Sequence, residues 1–431
     1  MSSLGWIRHA AAAAGVIAFG LVLSSCTGAG TVAGPGRNVG PTVPPAHTLD
    51  NWVMYGHDSR HTSASAANVT GILTQKWRYV PVPLAGNTFG GMSSAIATTT
   101  GVYAHYSQYG ATVFAGGPSM DGLSTAGTKQ WSYCEHRDYE ENHWLSAIGS
   151  GVVLQDDGMP LLNISTGVLI KWLSSSYDAW GETIPDASGL YGTNTFIADG
   201  PQLFVYQINA SNTVAWKALL QTGAKYSSDN DGGLLLSNGT LYYAASYTDP
   251  VPNPSGIYAL NASTGAKVGY VATTPTSEMS ADGNNIYLEE GSNTLVARAQ
   301  SNLAKVWSVS LPSGSFGAPV IADGMVIVAT FNGIEAHDPG SGKTIWTSTV
   351  QADFSGTYST GMAAALVSNT LVVPSFDGIH ILNLANGNDL GHSGPAGTSN
   401  PIIVNDPALG ATVYVTDGTG VIALQPSAAG R

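Results

Sequence analysis

The sequence predicts an all-β fold: an eight-bladed β-propeller of four-stranded antiparallel blades, closed by N- and C-terminal strands that share one blade. Three observations predict it. One phrase recurs along the chain: a Gly, an alternating apolar strand, a polar turn and a second strand. The second strand of most copies carries a Trp. One unpaired half-copy stands towards each end of the chain, and together these halves make an eighth unit. Composition agrees, because 53 Gly among 431 residues with only 10% of residues charged is the profile of a turn-rich β protein.

In chain order, the residues MSSLGWIRHAAAAAGVIAFGLVLSSC place Arg8 ahead of an apolar run from Ala10 to Leu23, followed by small residues. A basic start, an apolar middle and a small-residue exit predict a secretory signal over residues 1–25 rather than a membrane span. The run LSSC resembles the lipobox of bacterial lipoproteins, which implies that Cys26 receives the lipid and becomes the first mature residue. Each buried methylene of an acyl chain contributes about 0.8 kcal/mol, so two or three chains on one terminus would hold the protein on a membrane. Residues 26–48 are rich in Gly, Pro and Thr, with almost no large apolar side chain to bury, and predict a flexible tether. The propeller occupies residues 49–431. The other cysteine is Cys134, read as an inert buried thiol, so lipidation of Cys26 leaves stability to packing rather than to a disulfide.

Within the propeller, GIYALNASTGAKVGYV (256–271), GIEAHDPGSGKTIWTSTV (333–350) and GIHILNLANGNDLG (378–391) are close copies of the phrase. MPLLNISTGVLIKWL (159–173) and TLVARAQSNLAKVWSV (294–309) are looser ones. Alternation with period two marks strands, and the Ser/Thr/Asn/Gly cluster between them marks a tight hairpin. Trp131, Trp172, Trp216, Trp307 and Trp346 stand on second strands, with Tyr270 and Leu390 at the matching places of the remaining copies. The Trp side chains are expected between blades. The half-copies KWRYV (76–80) and GVIALQ (420–425) are expected to pair with each other. The run Gly-Ser-Gly-Lys-Thr within HDPGSGKTIW (337–346) has the look of a phosphate-binding loop. A full one needs Gly where His337 stands and a helix afterwards, whereas the equivalent sites NASTGAKV and NISTGVLI are plain turns. The run is a hairpin turn with Lys343 in solvent, and no nucleotide is expected.

At these hairpins the sequence resembles the pyrroloquinoline-quinone-type propeller repeats, whose consensus is an Ala-x-Asp-x-x-Thr-Gly turn followed by a strand bearing Trp. The resemblance spans Asn51 to Pro426, and NWVMYGHDSRHTS (51–63) is similar to the family's opening segment. It implies one of two branches: quinone-dependent alcohol dehydrogenases, or non-catalytic relatives such as the BamB-like lipoproteins that help outer-membrane barrel assembly. Many of the dehydrogenases hold the quinone under a disulfide between adjacent cysteines, with a Trp below and Ca²⁺ bound through Glu, Asn or Asp. This chain has no adjacent cysteines, and converging acidic positions of that kind are not matched. The BamB-like branch, with no cofactor, is the expectation; pyrroloquinoline quinone with calcium belongs to the alternative.

A propeller places its third-to-fourth-strand turns on one face, and its between-blade links and second-to-third-strand turns on the other. CEHRDYEENHW (134–144), SSSYDAWGETIPDASG (174–189), KYSSDNDGG (225–233), QADFSGTYSTG (351–361) and GHSGPAGTSN (391–400) are links. YSQYGATVFAGGPS (106–119) and YTDPVPNPSG (247–256) are insertions on the same face. The candidate binding face therefore comprises Glu135, His136, Arg137, Asp138, His143, Trp144, Asp178, Trp180, Glu182, Tyr226, Asp229, Asp231, Tyr247, Asp353 and Tyr358. The acid and imidazole cluster of 135–143 suits either a metal or acid-base site or a solvated, self-paired loop. Adjacency in sequence does not give the convergence that ligands need, so the second is expected. DNDGG (229–233) has the start of a calcium loop, but Thr240 stands where the bidentate Glu belongs, and a turn is expected. Tyr106, Tyr109, Tyr139, Tyr177 and Phe354 join Trp144, Trp180, Tyr226, Tyr247 and Tyr358 as rim aromatics, which suit protein hot spots and sugar faces alike.

A net charge of −13 disfavours nucleic acid as a partner. The expectation is a monomeric, lipid-anchored extracytoplasmic scaffold that binds an envelope protein or polysaccharide without catalysis. The alternatives are a quinone-dependent alcohol or sugar dehydrogenase and a glycan-binding propeller.

Overall fold

Strands Leu234–Ser237, Thr240–Ala245 and Gly256–Asn261 are buried along nearly their whole length, whereas the next strand, Lys267–Ala272, is largely exposed. A sheet with three such strands needs a neighbour against each face and leaves its fourth strand as an outer edge. The computed structural model describes residues 51–427 except 54–55, 84, 111–118, 135–144, 149, 155–159, 173–183, 187–188, 197–201, 210–212, 223–232, 246–254, 292, 354–360 and 407–409.

The strands of these residues form eight sheets. Sheet 1 holds Asn87–Thr98, Gly101–Gly110, Ser119–Leu123 and Lys129–Cys134; sheet 2 holds Leu145–Ile148, Gly151–Leu154, Pro160–Asn163 and Leu169–Trp172. Sheet 3 holds Ile184–Asp186, Gly189–Phe196, Gln202–Asn209 and Val214–Thr222; sheet 4 is the one described above. Sheet 5 holds Ser280–Ala281, Asn285–Glu289, Thr294–Ala299 and Lys305–Ser310; sheet 6 holds Ser315–Ala322, Met325–Thr330, Gly333–His337 and Thr344–Ser348. Sheet 7 holds Ala363–Ala365, Thr370–Ser375, Gly378–Asn383 and Asp389–Ser393, with Ala64–Ser65 added parallel to its first strand. Sheet 8 joins both chain ends: Ser399–Asp406, Gly410–Thr416 and Val421–Pro426 are completed by Leu73–Tyr79, with Trp77 opposite Ala423. Within each sheet the four main strands are antiparallel, and in sheets 1 to 7 they follow one another in sequence order. The first strands touch from sheet to sheet, and sheet 8 touches both sheet 7 and sheet 1. The core accordingly lies between sheets: Leu235, Tyr242 and Ile257 of sheet 4 pack with Ile286 and Leu288 of sheet 5, and Tyr287 and Leu295 of sheet 5 with Val326 and Val328 of sheet 6.

What joins neighbouring sheets is the repeat Trp. Trp307 on the fourth strand of sheet 5 donates its indole N–H to Pro339 O in the turn of sheet 6, 2.8 Å away, and a Cβ at Gly342 of that turn would stand 2.7 Å from the indole ring. The same pairing links Trp77 with Thr125 O and Gly127, Trp131 with Ile164 O and Gly167, Trp216 with Ala262 O and Gly265, and Trp346 with Leu384 O and Gly387. Each of these glycines has φ between 68° and 79°, a left-handed conformation that ends the hairpin turn and brings bare backbone against the ring. The run Gly-Ser-Gly-Lys-Thr is one such turn: Asp338 Oδ1 accepts the Ser341 N–H, Gly342 faces Trp307, and Lys343 is exposed.

Register corrects three expected positions. In sheets 1 to 7 the fourth strand bulges just after its turn, and Trp131, Trp307 and Trp346 follow that bulge opposite Gly122, Ala297 and Ala336. In sheet 4 the residue at this place is Gly269, opposite Ala259, and Tyr270 is one residue further on. In sheet 7 the residue after the bulged Leu390 is Gly391, and Leu390 is 56% exposed. In sheet 2, Lys171 pairs with Leu161, so Trp172 is one step out of register and 37% exposed. A one-residue slip sends a strand side chain to the opposite face. The next sheet compensates at Gly269: its turn carries Leu303, buried at φ 61°, whose Cδ1 would lie 3.5 Å from a Cβ at Gly269. Bulk and absence of bulk have exchanged sides. Tyr106, expected on the rim, is a core residue of sheet 1, 2% exposed and stacked on Phe89 at 5.9 Å.

The segment before Leu73 runs along the inner edges of the sheets. Trp52 exchanges two backbone hydrogen bonds with Ala97 of sheet 1, and Val53 O accepts from Ala147 N of sheet 2. Ser59 O, Arg60 O, Thr62 O and Ser63 O then accept from Leu236, Ala281, Ile321 and Ala364, on sheets 4, 5, 6 and 7 in turn. The motif Tyr-Gly-x-Asp explains how so short a stretch reaches four sheets. Asp58 Oδ1 accepts from Arg60 N and Thr62 N, and Oδ2 from the Thr62 hydroxyl. Gly56, at φ 65°, lies so close to His61 that a Cβ would meet it at 2.7 Å. The turn uses the Gly56 and Asp58 carbonyls within itself and leaves those of Ser59, Arg60, Thr62 and Ser63 to the sheets.

Gly342→Ala is expected to cost about 2–4 kcal/mol, combining left-handed strain with a displaced indole. Gly418→Ala, at φ 73° with open space around it, should cost only about 1 kcal/mol; urea midpoints of the two variants check the difference. Asp58→Ala removes three hydrogen bonds to a carboxylate and is expected to destabilise by about 2–4 kcal/mol, with Asp58→Asn milder, in the same measurement.

Candidate functional site

The two ends of the assembly differ. The N-terminal segment bonds to the later residues of the first strands, Ala97, Ala147, Leu236, Ala281, Ile321 and Ala364, and so occupies the end that carries the third-to-fourth-strand turns. The between-sheet links and the second-to-third-strand turns emerge at the opposite end. There Phe331–Asn332 and Phe376–Asp377 turn the chain between second and third strands of sheets 6 and 7, and both rings face solvent, 51% and 56% exposed. Val82, in the link from sheet 8 to sheet 1, is 73% exposed. Sequence reading missed the phenylalanines, although the recurrence of Phe-Asn-Gly-Ile (331–334) and Phe-Asp-Gly-Ile (376–379) marks both turns.

Of the residues expected on this face, the structure describes Asp353, which is buried, with its backbone N–H donating to Pro374 O at 2.9 Å. Its carboxylate lies beside Gly397 of the next link, within the face rather than on its surface. Glu135, His136, Arg137, Asp138, His143, Trp144, Asp178, Trp180, Glu182, Tyr226, Asp229, Asp231, Tyr247 and Tyr358 lie outside the described residues, as do Cys26 and the whole of the signal and tether.

The most buried carboxylate among the described residues is one that sequence reading did not single out. Asp121 of sheet 1 accepts hydrogen bonds from Tyr79 Oη of sheet 8 and Ser132 Oγ, both at 2.6 Å. Burial, reinforced by the Asp121 charge, pushes the Tyr79 and Tyr106 phenols well above their ordinary range. Both phenols stay protonated, and the Tyr79–Asp121 hydrogen bond joins sheets 8 and 1. A quinone with its calcium requires carboxylates converging near the axis. Among the described residues the one group of three side chains arranged to share a cation is Asp377, His380 and His392, on sheet 7 and away from the inner edge. These residues do not fit that cofactor.

Residues 253–431 match the family model described as "Outer membrane protein assembly factor BamB". The fold is similar to that of quinohemoprotein alcohol dehydrogenase from Comamonas testosteroni, at 13% identity and a TM-score of 0.64 over 89% of this chain and 82% of that one. Its fold is thus similar to that of propellers of the pyrroloquinoline-quinone type. Two further structures are similar in fold. BamB from Moraxella catarrhalis gives 14% identity and a TM-score of 0.59 over 83% of this chain and 99% of that one. A europium-containing methanol dehydrogenase gives 13% and 0.60 over 87% and 91%. Curated protein sequences give no match to this chain. At these identities the likeness establishes the fold and leaves activity to the residues.

Proposed function

We propose that this chain is a lipid-anchored, extracytoplasmic propeller of eight blades in a closed ring, which binds an envelope protein or polymer through its loop-rich end and has no catalytic role. The observation that carries the reading is the asymmetry of the two ends. One is tied together by the N-terminal segment, and the other exposes Phe331 and Phe376 among the links. Exposed aromatic rings on a rigid frame provide contact area at small entropic cost, which is what a docking surface requires. The BamB match and the lipobox-like run before Cys26 support an envelope location. Crosslinking in the native membrane followed by pull-down tests it. The fourfold variant Trp144→Ala, Trp180→Ala, Phe331→Ser, Phe376→Ser is expected to lose partner yield by roughly ten-fold or more, since aromatic hot spots contribute about 2 kcal/mol each. Undiminished recovery of every partner by a variant with an unchanged urea midpoint would overturn the proposal.

The fold likeness to two dehydrogenases favours a second reading, a quinone-dependent alcohol or sugar dehydrogenase. Titration with pyrroloquinoline quinone and Ca²⁺ separates the two. The scaffold reading expects neither a saturable change in quinone absorbance nor dye-coupled oxidation of alcohols or sugars. Either signal, abolished by chelator, would establish the enzyme instead.

A further inference from the structure

Sheet 7 carries a cluster of side chains that neither the repeat nor the docking surface uses. His380, on the third strand, is 7% exposed and lies between two carboxylates: Nε2 is 2.8 Å from Asp377 Oδ1, and Nδ1 is 2.9 Å from Asp389 Oδ2. The His392 ring stacks on it with centroids 4.6 Å apart and an interplanar angle of 23°. This convergence is built by the backbone. In a regular strand Asp389 and His392 would face opposite sides, because side chains alternate. The register slips between the His380–His392 and Leu382–Asp389 pairs, and Gly391, at φ 121°, sits in that bulge with its N–H on Asp389 Oδ1 at 2.9 Å. The bulge re-aims one residue and brings Asp389 and His392 to the same side. Gly391 stands where most sheets carry the repeat Trp.

We propose that Asp377, His380 and His392 form a binding site for a zinc-class divalent metal ion, with Asp389 as the outer carboxylate that orients His380. One ligand atom from each of the three lies within 4.8 Å of the others. A tetrahedral ion with bonds of about 2.0–2.2 Å needs its ligands about 3.3 Å apart. The exposed Asp377 and His392 can close that gap by side-chain rotation, while the buried His380 stays fixed. Two imidazoles and one carboxylate suit borderline ions such as Zn²⁺ and Cu²⁺ rather than Ca²⁺ or Mg²⁺. The Asp389 contact supplies what a metal-bound histidine ordinarily has, a carboxylate on its other ring nitrogen that fixes the proton on Nδ1 and leaves the Nε2 lone pair for the ion. Three protein ligands leave a fourth position open to water.

Calorimetric titration of the chelator-treated full chain with Zn²⁺ alone tests the site. The wild type is expected to bind an equivalent of Zn²⁺ that disappears, or weakens by roughly ten-fold or more, in both His392→Ala and Asp377→Ala; Asp389→Asn should retain it with affinity about 10–100-fold lower. Cu²⁺ electron paramagnetic resonance of the wild type should show hyperfine splitting from two imidazole nitrogens, reduced to one in His392→Ala. The altered side chains are exposed, and unchanged urea midpoints in the absence of metal confirm that both alanine variants fold. No Zn²⁺ binding by the wild type at 0.1 mM (roughly the weakest affinity expected of a built site), or titration curves and spectra identical in wild type and both alanine variants, would overturn the assignment.

Discussion

The structure depends on one contact repeated between sheets: an indole laid over a glycine that ends its neighbour's turn. A four-stranded sheet of this composition is apolar on both faces and cannot stand alone, so stability resides in the interfaces. The indole supplies area, its N–H satisfies a turn carbonyl, and the glycine supplies both the left-handed turn and the space for the ring. Each requirement constrains the others, because a Cβ on that glycine would meet the ring and a turn without the glycine would not present its carbonyl. The junction at Gly269 and Leu303 shows the rule in reverse, with volume moved to the turn and removed from the strand. Between sheets 7 and 8 the rule lapses. Sheet 8 has the two chain ends where a hairpin turn would be, with Ser427 N bonded to Ile72 O, and the residue that would dock there is Gly391.

The N-terminal segment adds a second, chemically different tie. It contributes backbone carbonyls where the Trp contacts contribute side chains, and it works at the inner edge where the Trp contacts work near the outer one. Residues 52–65 touch sheets 1, 2, 4, 5, 6 and 7 before the chain enters sheet 8 at Leu73. These pairings join residues hundreds apart in sequence, so loop-closure entropy must be met before they stabilise anything. The same segment gives the assembly its polarity. Its hydrogen bonds commit one end to structure and leave the links of the other end to diverge.

Most of the fold was legible because a hairpin is a local object. Alternating apolar residues, an Asx-type turn and a glycine lie within some fifteen residues, and the two half-copies at the chain ends pair in the structure as their sequences imply. What was not legible is what depends on counting across a bulge. Tyr270 and Leu390 looked equivalent to the repeat Trp because sequence spacing does not reveal which residue bulges; register assigns those places to Gly269 and Gly391. Tyr106 was read as rim because the insertion was taken to start there, whereas the strand continues to Gly110 and buries the ring. The candidate face was legible in outline from topology, since alternate turns must lie on opposite ends. Its individual members were not: Asp353 is buried although a link residue, and Phe331 and Phe376 were overlooked because each turn holds only a single aromatic. The His380 and His392 pairing needs both register and bulge, and no local pattern announces it.

Catalysis and recognition make different demands on such a frame. A redox or acid-base reaction needs several charged groups converging on one point, with their protonation set by burial. Among the described residues buried charge is met by close polar partners: Asp121 with Tyr79 of the neighbouring sheet and with Ser132, and Arg298 with Glu290 and the Leu303 carbonyl within sheet 5. Recognition asks only for a rigid rim that presents separate anchors, and the side-to-side packing of the sheets supplies one at every link and turn. Phe331 and Phe376 stand exposed at matching turns of adjacent sheets, which the Trp346–Gly387 contact joins at their other end. The interaction that builds the frame therefore also sets the geometry of the surface it offers.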